Sequence, residues 1–404
     1  MLKKINVRDL KLGMYLQEIC GSWMDHPFWK KSFALTDPND LKTLTECGIQ
    51  EVWIDTEKGR DAESGADGQS AEDAKKDIDT KLQQLAQSSA KITPRISVQE
   101  EIVRARKIHS SAKEAVTSMF HEARMGKALR LDEITKLVDE IIQSITRNPE
   151  AFLSISRLKN KDDYTYLHSV AVCALMIALG KQMDLDHALM KDLGMAGLLH
   201  DVGKTMIPDE VLNKPGRLTD EEFIVVKKHP LQGWGILQGS EGVCDIALDV
   251  CLHHHERIDG SGYPDKLSSE TLTLFARMGA ICDVYDAITS NRCYKTGWEP
   301  AEAIRKMAEW QEGQYDLTLF HAFVKTIGIY PSGTLVKLKS TRLAVVLEQT
   351  EKSLLTPIVK VFFSTRENAP LLPEIVDLSL STDSILNAED PHKWGFDLKK
   401  LADI

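Results

Sequence analysis

The first 57 residues alternate short runs of apolar and polar residues, a pattern typical of β-strands. The runs KINV, GMYLQEI and KSFALT precede DPNDLKTLTECG, which has the pattern of a helix, and QEVWIDT follows it. Strands repeat every two residues and helices every 3.6, so the two patterns can be distinguished. We expect a small α+β module over residues 1–57.

Residues 58–149 change from a polar segment to helices. The segment 58–97 is rich in Asp, Glu, Gly, Ser and Gln, which predicts an acidic polar linker with some helix towards its end. A helical connector is predicted over 98–149, where six aliphatic residues share one helix face. They are Ile134, Leu137, Val138, Ile141, Ile142 and Ile145. Such a face usually packs on a neighbouring helix; a homodimer interface is the alternative use.

The rest of the chain divides into a helical region, residues 150–330, and a β-rich extension, residues 331–404. In the extension, GTLVKLKSTRLAVVLEQ and TPIVKVFFST are β-like stretches separated by a polar turn, which favours a hairpin. The expected fold class is therefore mainly α. It is a helical bundle with a small α+β N-terminal module and a hairpin-like C-terminal extension.

Charge and cysteine content narrow the classes of function. The net charge of −10 and the pI near 5.7 argue against binding to a nucleic acid polymer, which needs a broad basic face. A small anionic ligand needs only a local basic cluster. Seven scattered cysteines without a C-x-x-C pair indicate free thiols in a reducing compartment. The longest apolar run, residues 170–180, is too short for a membrane span, so a cytoplasmic location is expected.

The stretch CLHHHERIDGSGYP, residues 251–264, contains three consecutive histidines. His254 follows the apolar Val250 by four residues, so it is expected to face inward, as is His255. His253 follows the polar Asp249 by four residues and is expected to point away.

Other histidines and aspartates lie on apolar faces of the helical region or at helix ends. They are His168, His200, Asp201, His229, Asp283 and Asp286. Each has an ordinary explanation: a buried His-Asp pair is more often structural, and His229, at the end of a predicted helix before Pro230, suits the helix dipole.

Taken together, these residues favour a metal centre, because buried carboxylates are costly unless they are paired or metal-bound. Imidazole and carboxylate ligands without thiolate suit Mn, Fe, Ni, Co or Zn in hydrolytic use. There are enough ligands for two ions about 3.5 to 4 Å apart, with Asp201 placed to bridge them.

Five motifs, in order along the chain, resemble those of the HD-GYP family of the HD phosphohydrolase superfamily. They are HDVGK at 200–204, IPDEVLNKPGRLT at 207–219, KKHP at 227–230, HHERIDGSGYP at 254–264 and DVYDAITSNRCYK at 283–295. The resemblance covers residues 160–330, and residues 1–57 look like the small module of unknown function often found ahead of such domains. It implies an HD-type helical bundle that hydrolyses cyclic di-GMP to linear pGpG, and on to GMP where a second hydrolysis follows. A hydroxide shared by two metal ions would attack the phosphodiester.

The resemblance also implies a role for each matching residue. The metal ligands would be His168, His200, Asp201, His229, His254, His255 and Asp283. Asp201 and Lys204 are the catalytic candidates, with Lys204 beside the scissile phosphate. Lys204, Arg292, Lys295 and Asp286 are the substrate-binding candidates. The signature turn Gly262, Tyr263 and Pro264 would also be a docking surface for a diguanylate cyclase.

Two positions depart from the family pattern. Tyr164 stands where members with three metals carry a glutamate, so two ions are predicted, with iron or manganese favoured over Ni, Co or Zn. Cys293 stands where a proline is common.

Two alternative functions remain: a scaffold with little activity that binds cyclic di-GMP or cyclases, and an HD phosphohydrolase acting on another nucleotide. The long helices before residue 150 allow a homodimer.

Overall fold

The computed structural model describes most of the chain. The described residues are 2–20, 32–46, 51–62, 71–86, 96–157, 164–214, 216, 218–290, 297–350, 352–396 and 401.

The N-terminal module is an antiparallel sheet covered by a helix, as the strand-like runs predicted. Its strands are β1 (Leu2–Asn6), β2 (Tyr15–Cys20), β3 (Phe33–Ala34) and β4 (Glu51–Asp55), in the order β1-β4-β2-β3. Helix α1 (Pro38–Glu46) crosses between β3 and β4. Leu16, Ile54 and Leu44 are fully buried in its core. The alternating pattern directs Leu16 and Ile54 to one face of the sheet, and α1 contributes Leu44.

Four helices lead from this module into the central bundle. They are α2 (Ala71–Ala86), α3 (Val98–Arg124), α4 (Leu131–Arg147) and α5 (Pro149–Ser156). All six aliphatic residues of the face predicted on α4 are buried, and Val138 packs against Gly194. The chain's own helices therefore cover the face that was the alternative candidate for a homodimer interface.

The central bundle holds nearly every candidate site residue. Its helices are α6 (Tyr164–Gln182), α7 (His187–Leu199), α8 (Asp209–Leu212), α9 (Asp220–Val226), α10 (His229–Gln238), α11 (Asp245–His253), α12 (Leu274–Thr289), α13 (Pro300–Gln314) and α14 (Leu317–Ile327). Helix α6 is surrounded by α7, α12 and α5. This explains why its sequence is apolar on all sides.

A buried carboxylate ties α3 to α4. Glu101 is fully buried, accepts a 2.8 Å hydrogen bond from Ser144 and receives Nε and Nη2 of Arg147, each at 2.7 Å. Burial alone would raise the pKa of Glu101, but the hydrogen bonds from Arg147 and Ser144 outweigh it and hold the pKa below its ordinary value.

We expect Glu101→Gln to lower the free energy of unfolding by about 2 kcal/mol, because the charged hydrogen bonds to Arg147 are lost. The lowered pKa makes the stabilisation complete above the pKa of the unfolded chain, about 4.3. It is lost as pH falls below that value through the folded pKa. Urea unfolding at pH 7 and near pH 3.5 measures both effects, with exposed Glu100→Gln as control. If the free energy of unfolding differs between Glu101→Gln and wild type by the same amount at both pH values, the charge of Glu101 does not stabilise the fold.

The C-terminal extension is a complete antiparallel sheet, larger than the hairpin suggested by the sequence. Its strands are β5 (Leu335–Leu338), β6 (Arg342–Glu348), β7 (Ile358–Ser364), β8 (Ala369–Asp377) and β9 (Ile385–Ala388), in the order β8-β7-β6-β5-β9, and α15 (Pro391–Trp394) follows. The first predicted stretch forms both β5 and β6, and the second forms β7. Among the described helices, none has the length and apolar composition needed to cross a membrane.

The N-terminal sheet rests on α13 of the bundle. Nε1 of Trp53 donates a 2.9 Å hydrogen bond to Glu309, and Nζ of Lys306 lies 2.7 Å from Glu18. These contacts join the module to the helix that ends beside the candidate site at Gln314.

Candidate metal centre

Two groups of buried side chains lie next to one another where α6, α7, α10, α11 and α12 converge. Within each group the potential ligand atoms lie within 4.8 Å of one another. One group is His168, His200 and Asp283; the other is His229, His254 and His255. The six residues of the two groups come from five separate parts of the chain, and the fold brings all of them together. A third set, His200, Asp201 and His254, links the two groups.

Hydrogen bonds to the main chain fix the orientation of three histidines. Nδ1 of His200 lies 2.8 Å from the carbonyl oxygen of Gly197, Nδ1 of His229 lies 2.7 Å from that of Val226, and Nδ1 of His254 lies 3.0 Å from that of Val250. A carbonyl oxygen can only accept, so we assign the ring proton to Nδ1. The lone pair of Nε2 in each ring is then directed into the cluster.

His168 is oriented by a carboxylate instead. Its Nδ1 lies 2.6 Å from Oδ2 of Asp286, while its Nε2 lies 2.9 Å from Oδ1 of Asp283. Asp286 is almost fully buried and faces the outer edge of the ring. This position suits a residue that orients His168. The substrate contact of Asp286 stays a prediction.

Asp201 lies between the two groups. Its Oδ2 is 3.3 Å from Nε2 of His200 and 3.5 Å from Nε2 of His168. Its Oδ1 is 3.3 Å from Nε2 of His229 and 3.8 Å from Nε2 of His254. One carboxylate thus offers a separate oxygen to each group, which is the arrangement expected of a bridging ligand.

Two of the predicted ligands, Asp201 and His254, are in the protonation state that metal binding requires. Burial alone would raise the pKa of Asp201, but the charges of Lys204 and His200 outweigh it and hold the pKa well below its usual range. Burial and the charges of His200 and His229 lower the pKa of His254 to about 3. At neutral pH Asp201 is therefore ionised and His254 is neutral, so neither must lose a proton to bind a cation.

Several buried polar atoms of the cluster suit a divalent cation as their partner. Among the described residues, none forms a hydrogen bond with Nε2 of His200, Oδ1 of Asp201 or Nδ1 of His255. Nε2 of His229 lies 3.3 Å from Nε2 of His254 and 3.2 Å from Nε2 of His255. Two nitrogen ligands about 2.1 Å from one ion would lie about 3.0 to 3.4 Å apart.

Gly203 explains how Asp201 and His229 come so close. A Cβ atom at Gly203 would lie 1.9 Å from the carbonyl oxygen of His229, a distance that real Cβ contacts do not reach. Only glycine lets the 3₁₀ turn Val202–Met206 approach the start of α10 so closely. In the sequence, His229 was expected to close the preceding helix; it is instead the first residue of α10, with Pro230 in the first turn.

Lys204 lies at the edge of the cluster. Its Nζ is 2.5 Å from Oδ2 of Asp201, and its side chain is 20% exposed.

His253 lies outside the cluster, as predicted: its Nδ1 is 2.8 Å from Asp249 and its Nε2 is 3.1 Å from Asp265. Arg292 and Lys295, the predicted phosphate contacts, lie outside the described residues, as does the departure at Cys293.

The signature turn covers the cluster, and Glu256, a residue that sequence analysis missed, anchors it. The ring of Tyr263 stacks on that of His255, with centroids 4.8 Å apart. The buried carboxylate of Glu256 accepts backbone N–H bonds from Asp265, Lys266 and Leu267 at 2.6, 2.9 and 3.1 Å. The only sign of this role in the sequence is that Glu256, a charged residue, follows two histidines predicted to face inward.

We expect Glu256→Gln to lower the free energy of unfolding by about 2 kcal/mol, because an amide nitrogen cannot accept the N–H groups that one carboxylate oxygen accepts. The turn should then hold Tyr263 less firmly against His255. Urea unfolding of the metal-depleted protein measures the change, with exposed Glu270→Gln as the matched control. The same unfolding midpoint in both variants would show that Glu256 does not anchor the turn.

A pocket opens beside the cluster. His254 and His255 form part of its wall, and Lys227, Tyr263 and Tyr315 line the rest.

Comparison with known proteins finds two family models and a relative that covers almost the whole chain. A family model described as "Domain of unknown function (DUF3391)" matches residues 2–134, and one described as "HD domain" matches residues 141–319. The cyclic di-GMP phosphodiesterase PA4108 of Pseudomonas aeruginosa is 51% identical over 409 residues, which cover 98% of this chain and 94% of that protein. The chain belongs to the HD-GYP family.

Two further relatives match a smaller part of the chain. The cyclic di-GMP phosphodiesterase response regulator RpfG of Xanthomonas campestris pv. campestris is 41% identical over 152 residues, 36% of this chain and 40% of that protein. The 3'3'-cGAMP-specific phosphodiesterase 1 of Vibrio cholerae is 35% identical over 194 residues, 47% of this chain and 43% of that protein. The names of these relatives thus contain two different cyclic dinucleotides.

Proposed function

We propose that this protein is a metal-dependent phosphodiesterase that hydrolyses cyclic di-GMP to linear pGpG, with GMP as the product of a second hydrolysis. The observation that supports this most strongly is the position of Asp201, whose two oxygens face two separate groups of potential ligands. The relative of 51% identity, which matches almost the whole chain, bears the name of a cyclic di-GMP phosphodiesterase.

The seven predicted ligands would hold two divalent cations in the two groups. We propose iron or manganese; nickel, cobalt and zinc accept the same nitrogen and oxygen donors. When bound, the cations would lower the pKa of a water molecule and offset negative charge on the phosphodiester. Asp201 holds the two groups in register, and Asp286 keeps Nε2 of His168 turned inward.

Lys204 is the second catalytic residue of the proposal. Its ammonium group lies beside Asp201 and is partly exposed, so it can approach a nonbridging oxygen of the reacting phosphate. A cation there would stabilise the negative charge that develops in the transition state. Arg292 and Lys295 remain proposed phosphate contacts.

The decisive experiment is a product assay. The protein is depleted of metal, loaded anaerobically with Fe(II) or Mn(II), and incubated with cyclic di-GMP; chromatography separates pGpG and GMP. Formation of either product by wild type, and not by a metal-depleted sample, supports the proposal. Absence of product at full metal occupancy would contradict it and favour the scaffold alternative.

A second substrate is suggested by the Vibrio cholerae relative named as 3'3'-cGAMP-specific. The assay is therefore repeated with 3'3'-cGAMP at equal concentration, and the two values of kcat/KM are compared. A larger kcat/KM for 3'3'-cGAMP would reassign the substrate while leaving the reaction class unchanged.

The partner proposals concern the signature turn and the oligomer. Tyr263 and Pro264 are half-buried, so part of each remains accessible to a diguanylate cyclase. Light scattering with and without a cyclase tests this docking, and light scattering of the protein alone tests for a homodimer.

A further inference from the structure

Lys227 is a half-buried cation beside the metal cluster that the mechanism above does not use. It follows α9 directly and lines the pocket whose wall includes His254 and His255. Its Nζ lies 4.7 Å from the ring centroid of Phe223 and 5.1 Å from that of Tyr263. Since Tyr263 stacks on His255, a single aromatic ring separates this ammonium group from a predicted metal ligand.

In the described part of the chain, no carboxylate forms an ion pair with Lys227. Among the residues that the structure describes, no carboxylate oxygen lies within 4.0 Å of its Nζ, and the charged neighbour that acts on it is another cation, Lys266. Other partly buried lysines differ: Lys214 lies 2.6 Å from Glu222, and Lys306 lies 2.7 Å from Glu18. Half-burying an ammonium group without an anion is costly, and contacts with aromatic faces offset only part of the cost.

A substrate with two phosphates would supply the missing anion. Cyclic di-GMP has one phosphodiester that reacts at the metal cluster and a second that does not. Lys227, His254 and His255 line the same pocket, so one ligand bound there can contact both the ammonium group and the metal cluster. Tyr263 and Tyr315 add the aromatic surface that nucleotide bases favour.

We propose that Lys227 binds the phosphate of cyclic di-GMP that is not being cleaved. This inference rests on the proposed function and extends it, because it assigns the second phosphate to a separate cation. Lys204 then serves the reacting phosphate and Lys227 the distal one. The same contact would hold the terminal phosphate of pGpG during a second hydrolysis.

The test compares Lys227→Met with Lys227→Arg. Methionine keeps an unbranched side chain over the rings of Phe223 and Tyr263 and removes the charge, whereas arginine retains the charge. Lys228→Met is the matched control, because Lys228 is the exposed neighbour in the same motif. Initial rates are measured with cyclic di-GMP and with bis(p-nitrophenyl) phosphate, which has a single phosphodiester. Calorimetry on metal-depleted protein measures cyclic di-GMP binding independently of turnover.

We expect Lys227→Met to raise KM and the calorimetric Kd for cyclic di-GMP about 10-fold to 100-fold, the loss typical of one charge-assisted hydrogen bond. Its KM for bis(p-nitrophenyl) phosphate should rise much less, and Lys227→Arg should recover most of the affinity. An unchanged Kd in Lys227→Met, or an equal loss with both substrates, would overturn the inference. If wild type binds cyclic di-GMP through Lys227 but forms no product, the proposed hydrolysis fails and the binding role stands. If wild type neither binds nor hydrolyses it, both fail.

Discussion

Asp201→Asn is expected to reduce the bound metal from two ions to one or fewer and to lower the rate of cyclic di-GMP hydrolysis by at least about 100-fold. The carboxylate directs Oδ2 towards His200 and Oδ1 towards His229. An amide has one oxygen, so it can serve only one of these groups. Replacing residues that merely orient metal ligands costs about 10-fold to 100-fold in metal affinity or activity, so a shared ligand should cost at least as much.

The measurements for Asp201→Asn are metal content by mass spectrometry, product formation by chromatography, and thermal unfolding to confirm that the fold survives. Asp265→Asn is the control, because that carboxylate is largely exposed and contacts His253 outside the cluster. Two ions per chain and full activity in Asp201→Asn would remove this residue from the centre.

Helical periodicity predicts the faces of long helices well in this chain. The six aliphatic residues of α4 are all buried, since a face that repeats over several turns leaves few arrangements open. The same reasoning ordered the three consecutive histidines correctly, because each follows a residue of known polarity one turn earlier. His253 bonds to the polar Asp249, and His254 bonds to the carbonyl of Val250.

Local pattern does not fix which carboxylate reaches a site. Asp283 and Asp286 lie three residues apart on one face of α12, so both were expected to approach the ligands. The direction of the His168 ring decides between them: Nε2 faces Asp283 and Nδ1 faces Asp286. That direction depends on how α6 packs against α12, which spacing within α12 cannot reveal.

Side-chain contacts with the main chain also could not be predicted from the sequence. Glu256 bonds to three N–H groups of a loop that begins several residues later, and no periodic pattern marks such a partner. Strand β8 shows a related limit: Pro370 and Pro373 argue against a strand, yet β8 is an edge strand, where proline is tolerated. The hairpin was predicted from two β-like stretches alone, whereas a five-stranded sheet forms.

His254→Ala and His253→Ala are expected to differ sharply although the residues are neighbours. Nε2 of His254 lies 3.3 Å from Nε2 of His229 and its ring is buried, so its loss removes one nitrogen from the second group. We expect that variant to retain about one ion per chain and to lose at least about 100-fold in activity, since a direct ligand should matter at least as much as a residue that orients one.

His253→Ala should keep two ions and lose only about 1 kcal/mol of stability, the usual contribution of its hydrogen bonds to Asp249 and Asp265. Metal content, initial rates and urea unfolding, measured side by side, compare the two variants. Since burial and the neighbouring histidines lower the pKa of His254 to about 3, the imidazole is neutral throughout the assay range. A loss of metal in His254→Ala then reports the missing nitrogen rather than a change of charge. Equal metal content in the two variants would mean that the three histidines are assigned to the wrong faces.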